Sequence, residues 1–237
     1  MSNELSLNDI LSQVKKTEQL ARVYIPSLKT EVDFRPLTLA QQKMIIDKIS
    51  VTSYGVIDFF NNVYEIIKQN CVGDYKKFTT IDRINIILHF RKNLGEVYQD
   101  INLSALLEKN KSINLPPSEK TISSDNFTFE VSIPSLAMDQ KHNSHIITVY
   151  KDEKELLGKL MVNEVSKFIN KMVIHGSNSV VDFNTQTIKN KMTIVESINS
   201  TNLLPIFEYI TSIRNTEQEL TKLDDKQIDI GPEIFVL

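Results

Sequence analysis

The pattern of apolar residues changes abruptly within segment 22–39 of this 237-residue chain. Before Pro36, apolar and polar residues alternate in two short runs on either side of a Pro-Ser pair, which is typical of an antiparallel ribbon with one buried face. After Pro36, Thr38 occupies the position of a helix N-cap, and Gln41 three residues later can complete a capping box. The segment therefore predicts a β-ribbon that leads directly into a helix.

The composition of the chain limits what this ribbon can belong to. With 41% hydrophobic and 24% charged residues, the chain can bury one large core or two smaller ones. A net charge of -3 gives no basic surface of the kind that nucleic-acid-binding proteins present. Cys71 is the single cysteine, so no disulfide can form within the chain, and no apolar run approaches the about 18 residues that span a bilayer. We therefore expect a protein of the cytosol.

Beyond the ribbon, the spacing of apolar residues predicts mainly helices. Helices are predicted over the following segments: 5–20, 40–50, 57–72, 78–98, 152–174, 184–198 and 203–220. Strands are predicted at 127–133, where apolar and polar residues alternate, and at 145–150. The 57–72 helix is expected to be central, and Gly95 is expected to give the 78–98 helix a left-handed end. The predicted fold class is α+β, mostly helical with short antiparallel β-ribbons.

The predicted division into domains follows from a polar, proline-containing stretch in the middle of the chain. Residues 105–126 predict a linker between an N-terminal unit of ribbon and helices, 1–104, and a C-terminal unit of strand, helices and terminal segment, 127–237. The tetrapeptide Ile-Pro-Ser-Leu occurs in both units, at 25–28 and at 133–136. Two related halves are one explanation of this recurrence, and chance is the simpler one.

Residues that could carry out chemistry are few. The six glycines are scattered singly, so the sequence contains no phosphate-binding glycine loop. His142 and His145 have a spacing seen among metal ligands, but no cluster of Cys, His or carboxylate residues supports them, and we expect both in a polar loop. His89 and Cys71 lie within apolar helical patterns, where a buried structural side chain is the ordinary interpretation. The sequence therefore predicts no enzyme, no metal and no cofactor.

Short motifs follow one another in a set order between residues 20 and 98. They are Ile25-Pro26-Ser27-Leu28, Val32-Asp33-Phe34-Arg35-Pro36-Leu37, a helix from Gln41, Tyr64-Glu65-Ile66-Ile67-Lys68-Gln69-Asn70-Cys71-Val72, and Ile81-Asp82 with Phe90-Arg91 before Gly95-Glu96. In these motifs the chain resembles the base-plate hub family of T-even-type contractile-tailed bacteriophages, which has a ribbon ending in Arg-Pro and a helix ending in Asn-Cys. The chain departs from the family at 37–42, where Leu-Thr-Leu-Ala-Gln-Gln replaces a more basic or acidic stretch.

The resemblance implies a structural or assembly subunit of the tail base plate that acts by protein–protein contacts and has no active site. Such a subunit is made in the cytoplasm of the infected host and resides in the virion. Its partners would be other base-plate hub or wedge proteins, with oligomers forming within the assembly and with no membrane segment or nucleic acid involved. Two alternatives stay open: a tail-assembly chaperone that leaves the virion, and an uncharacterised cytosolic enzyme that uses Cys71 or His89.

Six residues are candidates for structural or interface roles. Arg35 and Arg91 would either brace the ribbon against the helices through a carboxylate such as Asp82 or meet acidic groups of a partner. The apolar segment 227–237 is predicted to form a terminal strand or an extended arm, either tucked into a sheet or held against a partner. The candidates in this segment are Ile228, Ile230, Ile234 and Phe235.

Overall fold

The structure is a computed structural model that describes Ser6 and residues 19–47, 55–150 and 153–236. The helix predicted at 5–20 lies almost entirely outside the described residues. The described helices are α1 Leu39–Ile46, α2 Gly55–Asn70, α3 Thr80–Lys92, α4 Leu103–Asn110, α5 Leu136–Val149, α6 Glu153–Phe168, α7 Ile188–Ser197 and α8 Ser200–Leu220. The described strands are β1 Ala21–Ile25, β2 Thr30–Phe34, β3 Val97–Tyr98, β4 Ile101–Asn102, β5 Glu119–Ser123, β6 Phe127–Ser132, β7 Ile169–Ile174, β8 Ser179–Asp182, β9 Lys222–Leu223 and β10 Lys226–Gln227. This mainly helical α+β fold confirms the predicted fold class.

The predicted ribbon consists of β1 and β2, which pair antiparallel with Ala21 opposite Phe34 and Ile25 opposite Thr30. A short 3-10 turn connects them and ends at Lys29 with a φ of 51°. The ribbon leads into α1 through a capping box, because the Thr38 hydroxyl accepts a hydrogen bond from the Gln41 backbone and the Gln41 side chain accepts one from the Thr38 backbone. The period change in the sequence therefore predicts this part of the fold correctly.

The helix α3 occupies the centre of the molecule, in place of the 57–72 helix that was expected there. Nearly all of its residues are buried, whereas α2 buries about half of its own. Its end also differs from the prediction, because the helix stops at Lys92 and Gly95 does not have a positive φ. The left-handed residues lie further on, at Gln99 and Asp100, in the tight turn that joins β3 to β4.

A four-stranded antiparallel sheet forms in the second part of the chain, in the order β5-β6-β7-β8. The predicted strand at 127–133 is β6 and is confirmed. The prediction of a helix over 152–174 is wrong for its last six residues, because Ile169–Ile174 forms β7 and pairs with β6. The strand predicted at 145–150 is also wrong, since residues 145–149 continue α5, whose N-terminus is capped by the Ser135 side chain.

The segment that was expected to be a linker, 105–126, contains regular structure. It includes most of α4 and the whole of β5, which is an edge strand of the sheet. One hydrophobic core contains side chains from both sides of this segment, including Phe34, Phe90, Phe129 and Phe235. No helix among the described ranges combines the length and the apolar character needed to cross a membrane.

Candidate functional site

The motifs that carry the family resemblance meet where the ribbon ends. The backbone N–H of Arg35 donates to the carbonyl of Asn70 over 2.8 Å, and the Asn70 side chain donates back to the carbonyls of Arg35 and Pro36 at 3.3 and 3.1 Å. Two residues after Asn70, the Val72 N–H donates to the carbonyl of Asp33 at 2.8 Å. The Asn-Cys ending of α2 therefore closes directly onto the Arg-Pro ending of the ribbon.

Gln41 ties α1 into the same place. Its side-chain amide donates to Asn70 Oδ1 at 2.8 Å and accepts a hydrogen bond from Asn70 Nδ2 at 3.1 Å. Aromatic rings lie beneath these bonds, because Phe34 stacks on Phe78 with ring centroids 6.2 Å apart and meets Phe90 edge-on at 5.9 Å. We call this set of contacts between Arg35, Asn70, Gln41, Phe34 and Phe90 the ribbon junction.

The N-terminus of α3 is held by both copies of the Ile-Pro-Ser-Leu tetrapeptide. The buried Asp82 carboxylate accepts hydrogen bonds from the backbone and hydroxyl of Ser27 at 2.8 and 2.6 Å, and from the backbone and hydroxyl of Thr79 at 2.7 and 2.9 Å. Burial raises the pKa of Asp82, against the opposing effect of these hydrogen bonds. The second tetrapeptide contributes Pro134, whose carbonyl accepts from the Thr80 N–H at 3.1 Å.

Neither candidate arginine pairs with Asp82, so the predicted bracing through that carboxylate is wrong. Arg35 is exposed, and its guanidinium donates to the carbonyl of Gln69 at 3.2 Å. Arg91 is buried, and its guanidinium lies 4.7 Å from the Tyr98 ring centroid while Nε and Nη1 have no hydrogen-bond partner. Asp82 cannot reach it, because Arg91 lies further along α3 by about 13 Å, at about 1.5 Å per residue.

The apolar C-terminal segment packs on its own chain. Ile228, Ile234 and Phe235 are buried in the core, and Ile230 packs against it. The segment forms neither the terminal strand nor the extended arm that was predicted, because after the short β10 it turns into a 3-10 helix over Pro232–Phe235. The carbonyl of Phe235 accepts a hydrogen bond from the buried side chain of Gln42 at 2.8 Å, which fixes this turn against α1.

A second polar site lies between four helices, and we call it the charged cleft. It contains Arg83 of α3, Asp139 of α5, Glu164 and Lys167 of α6, and Arg214 of α8. The two carboxylate oxygens of Asp139 lie 2.7 Å from Arg83 Nη1 and 2.7 Å from Lys167 Nζ. Lys167 also lies 2.7 Å from a carboxylate oxygen of Glu164, which in turn binds Arg214. Ion pairs therefore connect all four helices.

The charges of the cleft stabilise each other. Burial raises the pKa of Asp139, but Lys167 and Arg83 outweigh this effect and hold the pKa well below its usual range. Burial likewise lowers the pKa of Lys167, and Glu164 and Asp139 more than offset it, so the pKa is raised. The lysine therefore stays charged at neutral pH, and the carboxylates stay ionised. Neither Asp139 nor Lys167 therefore has a pKa near 7, as a group that exchanges protons in catalysis at neutral pH would need.

The charged cleft encloses a cavity of about 270 Å³. Ile57, Phe60 and Leu160 form apolar walls, and the two side-chain amides of Asn143 and Asn163 lie beside the ion pairs. The Arg83 guanidinium lies over the Phe60 ring, with Cζ 3.7 Å from the ring centroid. Arg214 is about half exposed, with 49% of its side chain accessible, so the cleft reaches the surface beside this residue.

Burial shifts the pKa of His142, of His89 and of Cys71. Both His142 and His145 lie in α5, not in the polar loop that was expected, and His142 is buried with Nδ1 2.9 Å from Asn163 Oδ1. Burial lowers the pKa of His142 and of His89 to about 4. Burial raises the pKa of Cys71, which disfavours the thiolate that a nucleophile requires. Among the described residues, no three His, Cys, Asp or Glu side chains are placed to hold a metal ion.

Sequence reasoning missed the charged cleft. Its members lie far apart in the chain, with Arg83 and Asp139 separated by 56 positions, so no motif connects them. A weaker signal is present, because Arg83 and Lys167 each stand in a strongly apolar stretch where an unpaired charge would be costly.

Comparison with known proteins adds nothing to this picture, since no family model, curated protein or solved structure matches the chain.

Proposed function

We propose that this chain is a structural or assembly subunit of a phage tail base-plate hub and that it acts through protein–protein contacts. The observation that carries the proposal is the ribbon junction. The Arg-Pro, Asn-Cys and aromatic-arginine motifs are distant in sequence, yet Arg35, Asn70 and Phe90 lie in one contiguous set of contacts. Motifs that specify a shared fold are expected to meet in this way, through backbone hydrogen bonds and ring packing.

The surface offers places where a partner could bind. The edge strands β5 and β8 each have one neighbour in the sheet, so the backbone groups on their outer sides are available for pairing with a strand of another protein. On α6, Leu157 and Met161 lie one turn apart and are 78% and 58% exposed. An apolar helix face of this kind suits packing against another protein. The C-terminal segment is not part of this proposal, because its apolar side chains are buried.

The protonation states of the reactive groups favour this role over catalysis. The thiol of Cys71 accepts a hydrogen bond from the Gly73 N–H at 3.3 Å and has a raised pKa caused by burial. His89 has a pKa lowered to about 4 by burial, so its imidazole is a weak base at neutral pH. The uncharacterised-enzyme alternative therefore has no activated group at either of the two positions on which it was based.

Quantitative mass spectrometry of purified phage particles tests the proposal. A hub subunit is expected in the particles at a copy number that stays constant from one preparation to the next, and it should remain with the base plate when tails are dissociated. A tail-assembly chaperone would be abundant in the lysate of infected cells and absent from the particles. Absence from the particles would therefore contradict a hub subunit and leave the chaperone.

A further inference from the structure

We propose that the charged cleft is a binding site for a carboxylate group carried on a short apolar stem. The proposal goes beyond the base-plate role and does not depend on it. The cleft combines a cavity, a buried guanidinium on its lining and a hydrogen-bond donor without a partner.

The first argument is the free edge of the Arg83 guanidinium. Nη1 donates to Asp139 Oδ2 at 2.7 Å, whereas Nε is buried without a partner and Nη2 donates to no described residue. The Nε and Nη2 groups of one guanidinium present two parallel N–H bonds, which match the two oxygens of a carboxylate. A bound carboxylate would satisfy a donor that is otherwise buried and unpaired.

The other cations of the cleft are already occupied. Lys167 Nζ uses its three protons in bonds to Asp139 at 2.7 Å, Asn143 at 3.2 Å and Glu164 at 2.7 Å. Arg214 binds Glu164 and Glu217. Arg214 keeps further N–H groups, but its side chain is 49% exposed, so the edge of Arg83 is the buried cationic donor left for a ligand among the lining residues that the structure describes.

Asn163 provides a second donor. Its Oδ1 lies 2.9 Å from His142 Nδ1, while its Nδ2 donates to no described residue. Since Asn163 and Arg83 both line the cavity, one ligand could accept hydrogen bonds from both.

The size and charge of the cavity define the ligand further. A volume of about 270 Å³ lies just below the about 300–1,000 Å³ of ordinary small-molecule sites, so the cavity suits a stem of a few carbon atoms. Arg83, Lys167 and Arg214 face Asp139 and Glu164 on the lining, and Glu217 beside the cavity balances Arg214, so the charges of the cleft are nearly equal in number. A monoanion at the edge of Arg83 is therefore favoured over a dianion. A free aliphatic monocarboxylic acid and a glutamate side chain of another protein both have this chemistry.

Titrations of the full-length protein, followed by NMR chemical shifts, test the site and distinguish these two sources. Hexanoate is expected to bind at least tenfold more tightly than hexanamide, its neutral analogue of the same size, and more tightly than the dianion glutarate. A second arm compares an acetylated, amidated Ala-Ala-Glu-Ala-Ala peptide with its glutamine counterpart. Binding of hexanoate alone identifies a free acid, whereas preferential binding of the glutamate peptide identifies a protein side chain.

Two variants and one control complete the experiment. Arg83→Lys keeps the charge and removes the paired N–H edge, so the affinity for the carboxylate should fall at least tenfold. Leu160→Trp fills the cavity from its apolar wall without touching an ion pair, so binding should be lost even if Arg83→Lys folds poorly. Arg22→Lys on the exposed ribbon is the control and should bind as the parent does. Equal binding of hexanoate and hexanamide, unchanged affinity in both cleft variants, or no saturable binding of any carboxylate would overturn the proposal.

Discussion

The ribbon junction and the charged cleft both fix α3 in place, but they do so with different chemistry. The junction uses amides, backbone groups and aromatic rings, and the buried Asn70 side chain is fully hydrogen-bonded within it. The cleft uses ion pairs and leaves an edge of the Arg83 guanidinium without a partner beside a cavity. Because the hydrogen bonds of Asn70 are all made within the chain, the ribbon junction is best understood as a site that stabilises the fold. The charged cleft is the better candidate for binding a ligand, because Arg83 has N–H groups without a partner and a cavity lies beside them.

The largest effect in this comparison is expected for Asp139→Ala in the charged cleft. The change leaves Arg83 and Lys167 buried at 6% side-chain exposure each and without their shared carboxylate. Removing one member of a buried ion pair usually costs about 3–5 kcal/mol of unfolding free energy. Urea denaturation at neutral pH measures this loss.

The matched control is Glu130→Ala in an exposed pair. Lys171 lies 2.9 Å from Glu130, nearly the same separation as in the cleft, but the two side chains are 40% and 51% exposed. We expect a loss of about 0.2–1 kcal/mol here, because water screens such pairs. Equal losses of unfolding free energy for Asp139→Ala and Glu130→Ala would show that burial does not make the ion pairs of the charged cleft stronger than an exposed pair.

The next effect is a loss of stability in acid caused by His142, beside the cleft. Its pKa falls from 6.5 to about 4 in the folded state, so the unfolded chain takes up a proton at a higher pH than the folded chain. The contribution is complete above pH 6.5 and is lost as the pH falls toward 4, by about 3 kcal/mol at about 1.4 kcal/mol per pKa unit. Denaturation of His142→Gln at pH 7 and pH 4 should show a pH dependence that is smaller by this amount. The exposed His175→Gln should not change it.

A smaller effect is expected for Asp82→Ala at the N-terminus of α3. The change leaves the hydroxyls and N–H groups of Ser27 and Thr79 without their acceptor. Hydrogen bonds to a charged group typically contribute about 1.5–3 kcal/mol, and we expect a loss of about 2 kcal/mol. Thermal and urea unfolding measure it, with Ser27→Ala expected to lose about half as much. A loss larger than that of Asp139→Ala would show that the hydrogen bonds at the N-terminus of α3 contribute more to stability than the ion pairs of the charged cleft.

The smallest effect is expected for Arg35→Ala in the ribbon junction. The guanidinium is exposed and makes one hydrogen bond to the Gln69 carbonyl at 3.2 Å, so the stability should change by less than about 1 kcal/mol. Asn70→Ala is the sharper test of the junction, because it removes a buried side chain that bonds to three residues. Arg35→Ala should be the milder of the two in the same denaturation experiment.

Local signals made the ribbon and its helix cap predictable. Alternation identified β1, β2 and β6, and the Thr38 and Gln41 pair identified the start of α1, because each signal depends on residues a few positions apart. The prediction of β7 failed because Ile169–Ile174 continues the apolar periodicity of α6 and becomes a strand only by pairing with β6. The strand predicted at 145–150 failed because β-branched residues there outweighed the Ser135 cap upstream.

Site residues were also predictable only where the signal lies within a few positions of the sequence. Arg35 was recognisable as a junction residue because it adjoins the proline that ends the ribbon, although its partner is a carbonyl group and not a carboxylate. Arg83, Asp139 and Lys167 were not recognisable as a group, because tertiary packing of separate helices brings them together. The apolar C-terminal segment was expected to pack against a sheet or a partner. In the structure, Ile234 and Phe235 are buried in the hydrophobic core of the same chain.

Cross-linking mass spectrometry on purified phage particles tests most directly the proposal that this protein is a base-plate subunit that acts by contact with tail proteins. Lys120 on the edge strand β5 should form cross-links to other base-plate proteins, whereas Lys226, which lies 3.8 Å from Asp100 of the same chain, serves as an internal reference for links within the chain. The proposed function predicts links to other tail proteins in every preparation. Links only within this chain, at equal sequence coverage, would contradict it.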